Sequence, residues 1–304
     1  MKSEPFMRFI RIRRCVKENY NQFKIDLQLR VNMRKKKLPI NICCDIGIGA
    51  KLIWYLELLL FCEEQRLEPY FKFSYEDSTE TDDFFGSYFL SSLLPYNKYI
   101  KIHSIEQLKL KKGYNNLLSV EKASELIKSN LIMNNQLNDY IISFCVNKFD
   151  NQNVLGIHYR GTDKIREASY VDYEKVLSVI QKCMELTNKF TKIFVATDDA
   201  NFLDYLLNTK FCELIISHDD YYRSANQVSI HSRINLNRYN VNRDAIVNIM
   251  LLSKCDFIIK SSSFLSSISL LLNPKIPFVM LNKPYDEFLW FPERELIGKV
   301  AFDV

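Results

Sequence analysis

Residues 155–164 read Leu-Gly-Ile-His-Tyr-Arg-Gly-Thr-Asp-Lys, an apolar run that stops at His158, Arg160, Asp163 and Lys164 around Gly161. Arginine offers phosphate oxygens a planar fork of donors, lysine a point charge, and histidine a donor whose charge its neighbours set. A strand ending in such a turn makes an anion pocket; the competing reading is a buried strand that ends in a solvated charged turn. Ser261-Ser262-Ser263 lies between an apolar run and a helical pattern. Its hydroxyls and the free N–H groups of the helix start form a second candidate phosphate cradle, or a plain serine cap. Arg243 opens the helical pattern before it and points either into the same cleft or to solvent. Asp198 and Asp199 end the run Ile193 to Thr197 and are expected to cap the following helix.

Only seven glycines occur, against roughly twenty for ordinary usage. Four of them, Gly47, Gly49, Gly156 and Gly161, fall in two strand-to-loop segments, where backbone must turn tightly or approach a ligand. The first segment, Pro39 to Asp45, then Ile46-Gly47-Ile48-Gly49, then a helical pattern over 50–66, opens a nucleotide-binding type of βα unit, although the third glycine of the dinucleotide fingerprint is missing. A strand is expected over 70–73, and 74–135 reads as helices and loops. From 151 the rhythm is regular. Strands are expected at 153–159, 192–196, 214–216, 257–260 and 278–281, with helices at 171–188, 200–207, 242–253 and 263–272 and a polar loop over 217–241. Alternation of this kind gives a parallel sheet covered on both faces, with ligands at the C-terminal strand ends.

The stretch 158–164 resembles the His-x-Arg-x-x-Asp-Lys motif of the alpha-1,6-fucosyltransferases and rhizobial nodulation fucosyltransferases. Ala196-Thr197-Asp198-Asp199, the block Asn242 to Phe257 and Ser261 to Ser263 are similar to further regions of that family, so the resemblance covers roughly 41–66 and 153–273. It implies an α/β fold of the GT-B kind, two Rossmann-like domains facing a cleft: 1–150 on the acceptor side and 151–304 holding the nucleotide sugar. It also implies an inverting transfer of fucose from GDP-fucose to a glycan hydroxyl. His158, Arg160, Gly47, Gly49, Arg243, Asp244, Asn248, Ser261, Ser262 and Ser263 would bind the donor. Arg160 and Lys164 would stabilise the departing diphosphate, and Glu167 would take the acceptor proton. Two departures stand out. Asn248 occupies the place of an aspartate that accepts from the guanine edge, with Asp244 one turn earlier as a compensating acceptor. Gly161 replaces a second arginine. A transferase for another nucleotide sugar and a non-catalytic nucleotide- or glycan-binding relative therefore stay open. His231-Ser232-Arg233 is similar to a His-x-Arg stretch of the family; His103 and His218 find no partners in the sequence and read as structural.

The rest of the composition sets bounds. A chain of 304 residues that is 47% apolar can bury the cores of two domains. No apolar run reaches the roughly 18 residues of a membrane span; the run from Leu52 to Cys62 is broken by Glu57. The charged N-terminus carries no export signal, and eight cysteines without a Cys-x-x-Cys pair predict reduced thiols, so a cytoplasmic location is expected. No Asp-x-Asp triplet occurs, and no metal is expected. The net charge of +5 is uneven: residues 1–37 carry twelve Lys or Arg and three Asp or Glu. This basic arm is expected either to touch an anionic membrane peripherally or to be a solvated helix. No aromatic interleaving of a stacking platform is read in it, so nucleic acid is not an expected partner.

Overall fold

The computed structural model describes residues 4–75, 83, 86–90, 96–110, 113–161, 167–187, 189–218, 222–225 and 237–303, with side chains of the first helix described from Glu18. Helix α1 (Glu4–Arg34) leads into β1 (Lys37–Cys43), α2 (Ile48–Gln65) and β2 (Glu68–Ser74). Then come β3 (Phe89–Leu90), β4 (Ile100–Ile102), α3 (Tyr114–Leu117), α4 (Val120–Asn130), β5 (Ile132–Met133) and α5 (Asn135–Phe144). The second half runs β6 (Val154–Tyr159), α6 (Tyr173–Thr187), β7 (Lys192–Thr197), α7 (Ala200–Leu207), β8 (Ile215–Ile216), α8 (Arg238–Leu252), β9 (Phe257–Lys260), α9 (Phe264–Leu272), β10 (Phe278–Met280) and α10 (Glu293–Leu296).

Two parallel sheets result, one in the order β2-β1-β4 and one in the order β10-β9-β6-β7-β8, beside a small antiparallel pair of β3 and β5. The expected α/β class holds, as does the parallel pairing of the second half. Strand β6 is buried along its whole length, and its side chains alternate between two cores. Val154, with Phe194, Ala196 and Ile258, faces the core built by α2, α4, α8 and α9; Leu155 and Ile157, with Ile193 and Val195, face the core under α6 and α7. The first core continues into the smaller sheet through Leu38, Ile40 and Ile42, so apolar packing runs unbroken across residue 150. In each sheet the chain leaves the central strand, β1 or β6, and fills first one side and then the other. A crevice opens at the C-terminal end of a strand placed that way.

Several boundaries differ from the expectation. Helix α8 starts at Arg238, not 242, because Asn237 accepts N–H groups from Tyr239 and Asn240 and so caps it earlier. Arg243 therefore lies in the second turn and does not open the helix. Strands β3, β4 and β5 are only two or three residues long, too short to leave a period in 74–135. None of the described helices is long and apolar enough to cross a membrane. Of the seven cysteines described, all are free thiols; Cys212 is exposed and Cys145 partly so, the other five buried.

Candidate functional site

Strands β1 and β6 point their C-terminal ends at one cavity of about 450 Å³. Gly47 and Gly49 border it from the loop and first turn after β1, His158 and Arg160 from the end of β6, Thr197 and Asp198 from β7, Asp244 and Asn248 from α8, Ser263 and Phe264 from the start of α9. Glu167 borders it too. Most of the expected site residues thus converge, from segments spread over more than two hundred positions.

Local geometry decides their roles. His158 is fully enclosed and sits beside Lys260 across the β6–β9 ladder. Burial, then the charges of Lys260 and Arg160, push its imidazole down to about 3. It is a neutral ring and adds no positive charge for a phosphate, which corrects the expectation of a cationic trio. Arg160 keeps the fork: its Nε lies 3.9 Å from Asp198 Oδ2, and its backbone N–H donates to Ser261 Oγ at 3.0 Å. Asp198 and Asp199 divide the labour. Asp199 caps α7 by accepting from Asn201 and Phe202 and also accepts the Tyr173 hydroxyl, whereas Asp198 turns to the cavity and Arg160. The sequence offered no signal to separate these neighbours.

The serine triad is a structural device. Ser261 N–H donates to the His158 carbonyl, Ser262 N–H to Asn282 Oδ1, and Ser263 N–H to Glu293 Oε1. Ser263 Oγ accepts from Leu265 N–H and caps α9. Ser261 and Ser262 do not line the cavity and their N–H groups are already used, so the proposed phosphate cradle is not there; Ser263 borders the cavity but its Oγ is likewise engaged as the cap. Beneath them Lys260 and Glu293 form an enclosed ion pair at 2.8 and 2.9 Å, with the Ser267 hydroxyl also donating to Glu293 Oε1. Arg243 is a third correction: its guanidinium turns back onto Asp244 Oδ1 at 3.2 Å, and it does not border the cavity. Gly49 has a packing cause, since a Cβ there would meet Phe264 Cβ at 3.1 Å where α2 and α9 start side by side. Gly47 has open space around it. Lys164 and His231-Ser232-Arg233 lie outside the described residues.

Sequence reasoning also missed His218. Its Nε2 lies 3.3 Å from Asp244 Oδ1 and its Nδ1 2.7 Å from the Tyr140 hydroxyl, in an enclosed position. A carboxylate only accepts, so Nε2 carries the hydrogen of that contact. Asp244 is thereby fixed through Oδ1, while its buried Oδ2 has no hydrogen-bond partner among the described residues. A carboxylate oxygen left in that state beside a cavity is an acceptor held ready for a ligand's N–H or O–H. Tyr75, Arg238, Trp290 and Tyr222 complete the wall, with Arg238 over the Tyr75 ring at 4.4 Å and Lys51 4.4 Å from the centre of the same ring. Burial pushes the Lys51 amine down to about 8. Among the described residues no cluster of three or more His, Cys, Asp or Glu gathers for a metal ion.

With that geometry in place, known proteins offer three comparisons. The family model for alpha-(1,6)-fucosyltransferase N- and catalytic domains matches residues 123–268. No curated protein sequence matches the chain. Among solved structures the fold is similar to POFUT1 in complex with GDP (11% identity, 80% of this chain and 98% of that chain, TM-score 0.50). It is equally similar to POFUT1 in complex with GDP-fucose (10% identity, the same coverages, TM-score 0.50). Fucosyltransferase NodZ from Bradyrhizobium is similar over 78% of this chain and 94% of that chain, at 15% identity and a TM-score of 0.47. At such identities the structural likeness speaks for the fold, GT-B, and the family model speaks for the sequence. Over residues 123–268 the chain is similar in sequence to the alpha-(1,6)-fucosyltransferases, and its fold is that of fucosyltransferase structures.

Proposed function

We propose that this enzyme transfers fucose from GDP-fucose to a glycan hydroxyl with inversion. The carrying observation is the single cavity that joins Arg160, at the end of β6, to a half-satisfied carboxylate on α8. Leaving-group departure places negative charge on a diphosphate, and a planar guanidinium held by Asp198 suits it. Guanine presents two adjacent N–H donors on one edge. Asp244, acceptor-only and braced by His218, suits that edge better than Asn248, whose amide mixes donors with an acceptor. Asp45, Glu167, Asp198 and Asp244 are the carboxylates at the cavity wall, and we assign receipt of the acceptor proton to Glu167, the position to which the family resemblance gives that role. Residues 1–150 take the acceptor side and 151–304 the donor, with no metal required.

Thermal shift against GDP, UDP, ADP and CDP without divalent cation tests the donor. A ligand at a hundredfold excess over its Kd stabilises the native state by about 2.7 kcal/mol. GDP is expected to give the largest shift; a larger one with UDP, or none with any, overturns the assignment.

A further inference from the structure

Helix α1 carries an apolar stripe on its outer face. Tyr20, Phe23, Leu27 and Val31, at helical spacing, are 68%, 65%, 53% and 43% exposed, while Ile25 and Leu29 on the opposite face are buried in the core. The helix is therefore apolar on two sides, one packed and one bare. Among the described residues, basic side chains share the bare side: Lys24 lies between Phe23 and Leu27 along the stripe, and exposed Arg30 and Arg34 flank its end. The two acidic residues described in this helix lie off the stripe, although Asp26 is near enough to Arg30 to feel its charge. Asp26 lies on the packed flank, bonded to Gln22 and Lys109, and Glu18 is seven residues before the inward-facing Ile25. Exposed Lys35 and Lys36 follow directly.

We propose that this face of α1 is a membrane-docking surface that seats the enzyme on anionic lipid. A second copy of the chain would cover the apolar stripe but would bring its own Lys24, Arg30 and Arg34 against the same charges, a like-charge arrangement that opposes pairing. An anionic bilayer surface complements both features at once. Apolar side chains enter the boundary between head groups and acyl chains, and Lys and Arg beside them meet phosphate and carboxylate oxygens. Burial of Ile25 and Leu29 fixes the roll of the helix, so the stripe is presented without any change of fold. This surface does not depend on which nucleotide the donor carries.

The test is flotation of the full chain with vesicles of phosphatidylcholine alone and of phosphatidylcholine mixed with phosphatidylglycerol. The wild type should float only with the anionic vesicles, less so at high salt. The variant Lys24→Glu/Arg30→Glu/Arg34→Glu should lose binding on the order of a hundredfold, at roughly fivefold for each basic residue removed from the surface. Phe23→Ser/Leu27→Ser should also dissociate, by at least tenfold, while both variants keep the wild-type melting temperature and nucleotide shift because these side chains touch neither core nor cavity. Equal flotation with both lipids, or unchanged flotation of either variant, overturns the proposal. So does a wild-type dimer in sedimentation velocity that Phe23→Ser/Leu27→Ser converts to monomer, since a second copy then covers the stripe.

Discussion

Glu293→Gln removes the negative partner of an enclosed lysine while keeping the side-chain shape. In the wild type Glu293 accepts both contacts from Lys260 and the donors Ser263 N–H and Ser267 Oγ–H. Glutamine can still accept from the serines through its oxygen, but its amide then turns N–H groups towards an ammonium that has no water to retreat to. Breaking a buried ion pair from one side costs about 3–5 kcal/mol. For a chain of this size that lowers the melting temperature on the order of 10 °C. The deficit should depend on pH. Burial already lowers the Lys260 pKa, and Glu293 is what opposes that. Without it the amine titrates lower still in the folded state than in the unfolded chain. The unfolded state then binds more protons across the interval between the two pKa values, so stability rises with pH there. Melts of Glu293→Gln should thus approach the wild type as pH rises towards 10. A melting temperature within about 2 °C of wild type at neutral pH, or a deficit that grows with pH, refutes the reasoning. The double variant Lys260→Met/Glu293→Leu should recover only part of the loss, because Ser263 N–H and the Ser267 hydroxyl still lack their acceptor.

Other outcomes follow from the cavity. Arg160→Ala should lower kcat by a hundredfold or more, about 3 kcal/mol of barrier, and Arg160→Lys should fail as well because the planar fork is gone; near-normal turnover of either removes Arg160 from the mechanism. Asp244→Asn should weaken GDP binding at least tenfold in calorimetry and shrink the preference for GDP over IDP, which lacks the second amino donor; an unchanged ratio shows that another group reads the base. Glu167→Gln should stop transfer yet keep GDP affinity; full activity of Glu167→Gln with loss in Asp198→Asn moves the base to Asp198. His158, with its pKa down at about 3, is bound to fewer protons folded than unfolded between pH 6.5 and 3, so stability should fall as pH falls through that window. His158→Gln should flatten the fall, and an unaltered acid limb would show that the imidazole is not the group responsible.

The element order of the second half was legible because strands buried on both faces read as apolar runs and their helices as periodic ones. Strand β9 and helix α7 have the expected bounds, and β6 starts one residue late. The His158 and Arg160 turn, Gly47 and Gly49 were legible as candidates because unusual residue types ended those runs, Glu167 only from its place after Arg160 in the family resemblance, and all five border the cavity. What the sequence by itself determined was local: which segments form strands, where they stop and which chemistry stands at the stops. Tertiary structure alone decided charge and reach. Lys260 is an ordinary strand residue until β9 lies beside β6, where it helps to hold His158 neutral. Asp198 and Asp199 are indistinguishable in sequence until α7 takes one as its cap. His218 acquires partners only when α5 and α8 close around it, and the serine triad loses its free N–H groups to residues twenty to a hundred positions away. Hydrogen-bond partnership and desolvation are properties of what surrounds a group, and the surroundings here come from distant segments that no local pattern encodes.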